Sequence, residues 1–458
     1  MTTDMENKPI PVVAVFDVGK TNKKLLLFDQ NYQVVWERSA RFMETVDEDG
    51  DPCENLESLR LSIFDALHEV LRKHEFDIRA INFASYGASL VYVDVDGKPL
   101  TPLYNYLKEF PFAIQQQLYN TYGGETVFAL ETASPPLGSL NSGLQLLRLK
   151  RERPDLFRHI AHAMHLPQYL SFLVSGQLCA DLTSIGCHTA LWDFNKNSYH
   201  QWVEDEALVH VFPKIFPGDT AFESTFLGKS YLVGVGLHDS SAALIPYLLF
   251  FQEPFVLIST GTWCISLNPF NETRLTMSEL QQDCLFYLSY LGKPVKASRL
   301  FAGYEHEIQS KRIADFYQVT IAKFRLMEID WGIIACLEAE DHLTELKSFE
   351  KIDLQRYDNY EIAYHSLLFH LVKAQVAATR LVLQGTAVSR IFVDGGFSKN
   401  PIYMSLIARE FLDIEVFAAT MPQATALGAA LLMHQHWNTS TIPANLLELK
   451  LFTSHNIS

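Results

Sequence analysis

The sequence predicts an α/β protein of two large domains, and three observations carry that reading. Strand-like and helix-like runs alternate in both halves, one kind of hairpin occurs twice about half a chain apart, and the composition is that of an ordinary folded chain. The 458 residues are 48% hydrophobic and 20% charged, which is ample for two cores and unlike a disordered chain. Acidic residues number 53 against 37 Lys and Arg, a net charge of -16 that argues against nucleic acid or an anionic membrane held by bulk electrostatics. An anionic ligand therefore needs local positive charge or aligned backbone N–H groups.

Taken in order, Met1 to Pro11 is polar and acidic and lacks the basic and apolar regions of a secretory signal, so a cytoplasmic protein is expected. Val12 to Phe16, Leu25 to Phe28 and Gln33 to Trp36 are short β-rich runs separated by Gly and Asp-Gln-Asn turns, the pattern of an antiparallel meander. Leu56 to His74 places Leu59, Ile63, Ala66, Leu67, Val70 and Leu71 at the spacing of an amphipathic helix. Strands follow at Ala80 to Ala84 and Leu90 to Val95, flanking Ser85-Tyr86-Gly87-Ala88-Ser89. The most apolar stretch, Ala242 to Phe251, contains Pro246 and is closed by Gln252, Glu253 and Pro254; it is too short for a membrane span and reads as a buried helix. Pro254 to Ile258 and Trp263 to Leu267 repeat the hairpin around Ser259-Thr260-Gly261-Thr262, and a helix over Tyr364 to Leu383 leads into a strand at Arg390 to Val393. The domain boundary is placed near Gln252 to Pro254, giving domains over 9–252 and 253–445.

Four segments carry residues suited to chemistry. Asp17-Val18-Gly19-Lys20-Thr21-Asn22-Lys23-Lys24 sets a carboxylate at a strand end before a Gly turn, whose N–H groups and lysines can face phosphate oxygens while Asp17 faces a hydrated Mg²⁺. It is not a P-loop, and its bland alternative is a hairpin with solvated lysines. Ser259-Thr260-Gly261-Thr262 is a second clasp of that design, or a plain β-turn. Asp394-Gly395-Gly396-Phe397-Ser398-Lys399-Asn400-Pro401 follows a strand and opens a helix over Ile402 to Phe411. Its paired glycines let a nucleoside lie on the backbone; otherwise it is a βα turn with Asn400 as cap. Thr425-Ala426-Leu427-Gly428-Ala429-Ala430 supplies small residues for close packing beside it. Finally, Gly234 to Ala243 places His238 and Asp239 at the start of the apolar helix, where the helix dipole holds a carboxylate ionised and able to accept a proton from a hydroxyl; a simple N-cap is the alternative.

Other candidates carry less. His159, His162 and His165, spaced i, i+3, i+6, would drift around one face of a helix rather than converge on a metal, and His434 and His436 read as surface on the last helix. Cys53, Cys179, Cys187, Cys264, Cys284 and Cys336 form no C-x-x-C pair, so reduced thiols are expected rather than a disulfide framework or a zinc site.

The order of these motifs, from the Asp-x-Gly loop through Gly-x-His-Asp and Ser-Thr-Gly-Thr to Asp-Gly-Gly-x-Ser-x-Asn, resembles the FGGY family of carbohydrate kinases, in the actin-like and hexokinase-like ATPase superfamily. It is most similar to the rhamnulokinase branch, whose middle section is followed by Asn141 to Leu149, Arg153-Pro154-Asp155-Leu156, His159-Ile160-Ala161-His162-Ala163, Leu166-Pro167-Gln168-Tyr169-Leu170 and Gly176. The resemblance implies two ribonuclease-H-like domains flanking a cleft, and ATP-dependent phosphorylation of a ketose or deoxy-ketose of the rhamnulose, fuculose or xylulose type. It implies that Gly19, Lys20, Thr21, Asn22 and Lys23, with Thr260, Gly261 and Thr262, hold the ATP phosphates, and that Gly395, Gly396, Ser398 and Asn400 lie at the adenosine. Asp17 would support Mg²⁺, Gly87, His238 and Ser240 would bind the sugar beside Asp239, and Asp239 would be the general base. The partners implied are ATP and a small sugar, with no nucleic acid or membrane, in a chain compatible with a homodimer. A polyol kinase, or a weakly catalytic sugar or nucleotide sensor on the same fold, are the alternatives. Three positions depart from the family pattern: Lys20 stands where a small or hydroxyl residue is usual, Leu300-Phe301-Ala302-Gly303 lacks the branch's sugar-contacting Asn, and Gln423 stands where Glu is common.

Overall fold

The computed structural model describes residues 8–453 except positions 21, 42, 88, 227, 326, 340–348 and 422. The meander is present as β1 (Ile10–Val18), β2 (Lys23–Phe28) and β3 (Val34–Ala40), followed by α1 (Leu56–Arg72) and β4 (Phe76–Ser85). After a middle section come β5 (Ala221–Phe226), β6 (Lys229–Gly234), β7 (Leu237–His238) and α2 (Asp239–Phe250). The second half opens with β8 (Phe255–Thr260), β9 (Cys264–Asn268), β10 (Cys284–Leu288), β11 (Pro294–Leu300) and α3 (Ala302–Phe316). It closes with α4 (Tyr360–Leu383), β12 (Arg390–Gly395), α5 (Pro401–Glu410), β13 (Glu415–Thr420), α6 (Ala424–Leu432) and β14 (Glu448–Phe452).

The first sheet runs β5-β6-β4-β1-β2-β3 with β7 beside β4, and the second runs β10-β11-β9-β8-β12-β13-β14. β1 pairs antiparallel with β2 and parallel with β4; β8 pairs antiparallel with β9 and parallel with β12. Beyond those strands, β6 and β7 run parallel to β4 with β5 as an antiparallel edge, and β13 runs parallel to β12 with β14 as an antiparallel edge. The repeat of directions around β1 and β8 is the duplication that the two hairpins imply, and it matches the pair of ribonuclease-H-like domains.

Central strands are buried on both faces, which is why Val12 to Phe16 and Val256 to Ile258 read as continuous apolar runs rather than alternations. α1 starts where the Asn55 carboxamide accepts the Ser58 N–H at 2.9 Å, and it buries Leu59, Ile63, Ala66, Leu67 and Val70. α4 is long and apolar enough to cross a membrane by length and composition. Here 67% of its apolar window is buried, packed against α3, α5 and β11 as the core helix of the second half.

α2 and α6 cross so closely that a Cβ on Gly428 would lie 1.9 Å from the Ala242 carbonyl oxygen. The small-residue run of α6 therefore packs on the helix that carries Asp239, whose Tyr247 hydroxyl in turn donates to the Asp394 carboxylate at 3.2 Å. Around this crossing one apolar core, including Val13, Leu26, Ala80, Ile245, Leu257 and Phe392, runs from one sheet to the other.

Two histidine expectations are corrected. His162 and His165 lie on a strand, His162–His165, paired antiparallel with Leu90–Val93, and His159 sits in the turn before it, so no helical face carries the three. His434 is half-buried and its Nδ1 lies 2.7 Å from the Tyr32 hydroxyl, joining the two halves; His436 is exposed.

Candidate active site

Sheet register builds the centre of the site. Val18 on β1 is opposite Ser85 on β4, and Ser85 is in turn opposite His238 on β7. Asp17 and Asp239 therefore emerge at the same end of the first sheet, with only β4 between their strands. The Asp17 carboxyl is pushed up to about 7, first by burial and then by the charge of Asp239, with Lys24 opposing.

Asp239 is the first residue of α2, preceded by His238 as a cap without a side-chain bond. Asp239 Oδ1 accepts the Ser240 N–H at 2.6 Å and the Ser240 hydroxyl at 3.2 Å, and lies 3.3 Å from His238 Nε2. With 35% of its side chain exposed, the carboxylate is accessible.

His238 is buried, its backbone N–H donates to the Thr183 hydroxyl at 3.0 Å, and burial pushes its imidazole toward the neutral form. A Cβ on Gly87 would stand 2.6 Å from Cys187 Sγ and 2.8 Å from the His238 ring, so only glycine lets this loop lie against them. Gly87, His238, Asp239 and Ser240 are thus brought together. Sequence reasoning missed the groups that complete this wall. His188 packs edge-on to His238, the Tyr287 ring centroid is 5.4 Å from that of His238, and buried Arg299 forms a two-point pair with Asp283 at 2.6 and 3.1 Å. Their only sequence signal is the polar island Gly186-Cys187-His188-Thr189 within an apolar stretch.

The first hairpin turn is closed by the Gly19 N–H donating to the Asn22 carbonyl at 2.9 Å; Thr21 lies outside the described residues. Its lysines depart from expectation. Lys23 is buried against Glu54 at 3.0 Å and donates to the Lys20 carbonyl, Lys20 pairs with Glu44 at 3.0 Å and Glu54 at 3.6 Å, and Lys24 pairs with Glu37 at 3.6 Å. Buried Glu54, which also accepts the Tyr86 hydroxyl, draws both ammonium groups inward, so these charges brace the turn from beneath. Exposed Arg41, which donates to the Asn22 carboxamide at 3.1 Å, adds a cation at the turn from outside the motif.

In the second hairpin the Gly261 N–H donates to the Trp263 carbonyl, and α3 begins directly against the turn: a Cβ on Gly303 would lie 1.8 Å from the Gly261 oxygen. Gly395, at φ +89°, abuts Thr260 just as closely. The Thr260 hydroxyl donates to the Asp394 carbonyl and accepts the Phe397 N–H, Ser398 donates to the Gly395 carbonyl, and Asn400 caps α5 while donating to the Tyr364 hydroxyl. These three side chains, expected at the nucleotide, are spent on internal bonds, and the open surface here is the backbone of Gly261, Thr262, Gly395 and Gly396, all exposed.

Residues 12–225 match the family model for the N-terminal domain of the FGGY family of carbohydrate kinases, and residues 252–441 match the model for carbohydrate kinase FGGY, C-terminal domain. The chain belongs to the FGGY family of carbohydrate kinases. A rhamnulokinase from Yersinia pestis (strain Pestoides F) is 22% identical over 266 residues, 55% of this chain and 53% of that protein. The chain thus spans about half the length of the curated relatives it matches. Among solved structures, a carbohydrate kinase from Novosphingobium aromaticivorans superposes with a TM-score of 0.78 at 21% identity, covering 97% of this chain and 94% of that one. A ligand-bound xylulose kinase from Lactobacillus acidophilus gives 0.80 at 16% identity with the same coverage. At these identities the structural likeness speaks for the fold: this FGGY chain has the two-domain, actin-like and hexokinase-like architecture.

Proposed function

We propose that this FGGY protein transfers the γ-phosphoryl group of ATP to a hydroxyl of a ketose or deoxy-ketose of the rhamnulose, fuculose or xylulose type, with Asp239 as general base. The observation that carries the reading is Asp239 itself, a carboxylate fixed at the start of α2 by Ser240 and His238, partly exposed, at the sheet end it shares with Asp17. In this reading Asp239 takes the proton of the attacking hydroxyl, while Gly87, His238 and Ser240 orient the sugar. The backbone N–H groups of the Gly19 and Gly261 turns face the phosphates, where charge spreads over the transferring group. Lys20, Lys23, Thr260, Ser398 and Asn400 act indirectly by holding those turns, and Gly395 and Gly396 offer the flat surface for adenosine. Domains over 9–252 and 253–445 are assigned to sugar and ATP respectively.

Asp17 suits Mg²⁺, since it is an all-oxygen donor whose carboxyl is raised by burial and a like charge, a tension that a hard cation relieves. The ion, arriving with ATP, would supply neutralisation of phosphate charge.

ADP release by the full chain with ATP and Mg²⁺, over L-rhamnulose, L-fuculose, D-xylulose, L-ribulose, glycerol and the parent aldoses, tests this reading. A ketose should stand out. A response to glycerol alone would favour a polyol kinase, and ATP binding without turnover on any compound would favour a sensor.

A further inference from the structure

Cys187, His188 and His238 meet within the wall of the site although His238 lies 50 positions beyond His188 in the chain. One ligand atom from each, the Cys187 sulfur and an imidazole nitrogen of each histidine, lies within 4.8 Å of the others, and all three residues are buried. The reaction proposed above has no use for a thiol at this point, because a weak S–H donor offers a sugar hydroxyl less than serine would.

The histidines are prepared for a different task. His188 Nδ1 lies 3.1 Å from the Leu140 carbonyl, which fixes that nitrogen as the donor and leaves Nε2 with a free lone pair, the outer-shell arrangement common to metal-ligating histidines. His238 Nδ1 is buried with no hydrogen-bond partner in a residue only 3% exposed. Asp239 Oδ1 stands 3.3 Å from His238 Nε2 beside this three-residue cluster and is 35% exposed, so a turn of its side chain would bring it in as a fourth ligand and open a route of entry. One thiol, two imidazoles and a carboxylate form a donor set for Zn²⁺ rather than for Mg²⁺, which takes oxygen ligands.

We propose that Cys187, His188 and His238, closed by Asp239, bind one divalent cation of the zinc class, and that a cation held there blocks phosphoryl transfer by occupying Asp239. On binding, the thiol proton leaves to solvent and the sulfur ligates as thiolate. The blocking half rests on the reading of Asp239 as base; the binding half does not.

Cobalt(II) is the probe, titrated into the full-length Cys336→Ser protein in excess Mg²⁺ so that the exposed thiol is absent. The expected result is saturation at one equivalent, with a near-ultraviolet sulfur-to-cobalt charge-transfer band and the visible bands of a tetrahedral ion, both lost on adding Zn²⁺. In that protein Cys187→Ser should abolish the charge-transfer band, and His188→Asn should weaken Co²⁺ at least about tenfold, with circular dichroism reporting that each variant is folded. No charge-transfer band at one equivalent in the Cys336→Ser protein overturns the site whatever the variants do, and so does a band that survives Cys187→Ser. One equivalent of Zn²⁺ should then stop ADP release at saturating Mg²⁺ and ATP; undiminished turnover on the Zn²⁺-loaded protein overturns the blocking half. If the cobalt spectrum develops but no sugar or polyol gives turnover without Zn²⁺, the kinase reading fails and the metal site stands.

Discussion

Asp17, near the end of β1, and Asp239, at the start of α2, are separated by 222 positions in the chain yet act on one another directly: the Asp239 charge helps push the Asp17 carboxyl up to about 7. Two carboxylates that repel at one sheet end are costly, and in the function proposed above a cation and a hydroxyl proton would relieve that repulsion.

Asp239→Asn keeps the size of the side chain and removes its basicity. kcat should fall by roughly 10² to 10⁴-fold with ATP affinity by calorimetry little changed. An unchanged kcat would remove Asp239 from the chemistry.

Asp17→Asn should raise stability in a pH-dependent way. The raised Asp17 carboxyl keeps a proton that the unfolded chain has lost between about pH 4 and pH 7, so its ionisation destabilises the fold as pH rises through that window. With Mg²⁺ chelated, the variant should exceed the wild type by on the order of 4 kcal/mol or less at pH 8, and the gap should shrink as pH falls toward 4. Thermal unfolding at several pH values measures it; a gap independent of pH contradicts the assignment.

Glu54→Gln should weaken the first turn. It removes the carboxylate that buried Lys23 meets at 3.0 Å and that also accepts the Tyr86 hydroxyl, a loss of about 3–5 kcal/mol for a buried pair broken on one side. Urea unfolding reports the stability, and KM for ATP should rise as the turn loosens.

Gly428→Ala adds a methyl where the Ala242 carbonyl would be 1.9 Å away, so α2 and α6 must separate. The strain should cost about 1–3 kcal/mol. Because α2 carries Asp239, kcat should fall as well, whereas Gly428→Ser should be worse in both readouts. Wild-type kinetics in Gly428→Ala would show that the position of α2 is not critical.

Much of the fold is legible in the sequence because its signals are local. Continuous apolar runs mark the central strands, Asn400 marks a helix start, and the two Gly turns mark the hairpins whose repetition gives the two domains. What the sequence conceals is long-range pairing. Lys20 and Lys23 look like phosphate ligands until Glu44 and Glu54 are folded beneath them, and Thr260 looks like a clasp until the Asp394 turn lies on it. Cys187 and His188 give only the faint signal of a polar island, since their partner His238 arrives through β7 from the far side of the middle section. The strand at His162–His165 was hidden for a related reason, as its pairing with Leu90–Val93 outweighs local propensity.

Phosphorus NMR of the purified protein with ATP, Mg²⁺ and a ketose that stimulates ADP release, with the Asp239→Asn protein run beside it, follows phosphoryl transfer itself. In the wild type the γ-phosphate resonance should be replaced by that of a sugar phosphate monoester, and in the variant the same change should be at least about a hundredfold slower. Release of inorganic phosphate alone, or formation of the monoester at equal rates in both proteins, would contradict Asp239-assisted phosphoryl transfer to the sugar.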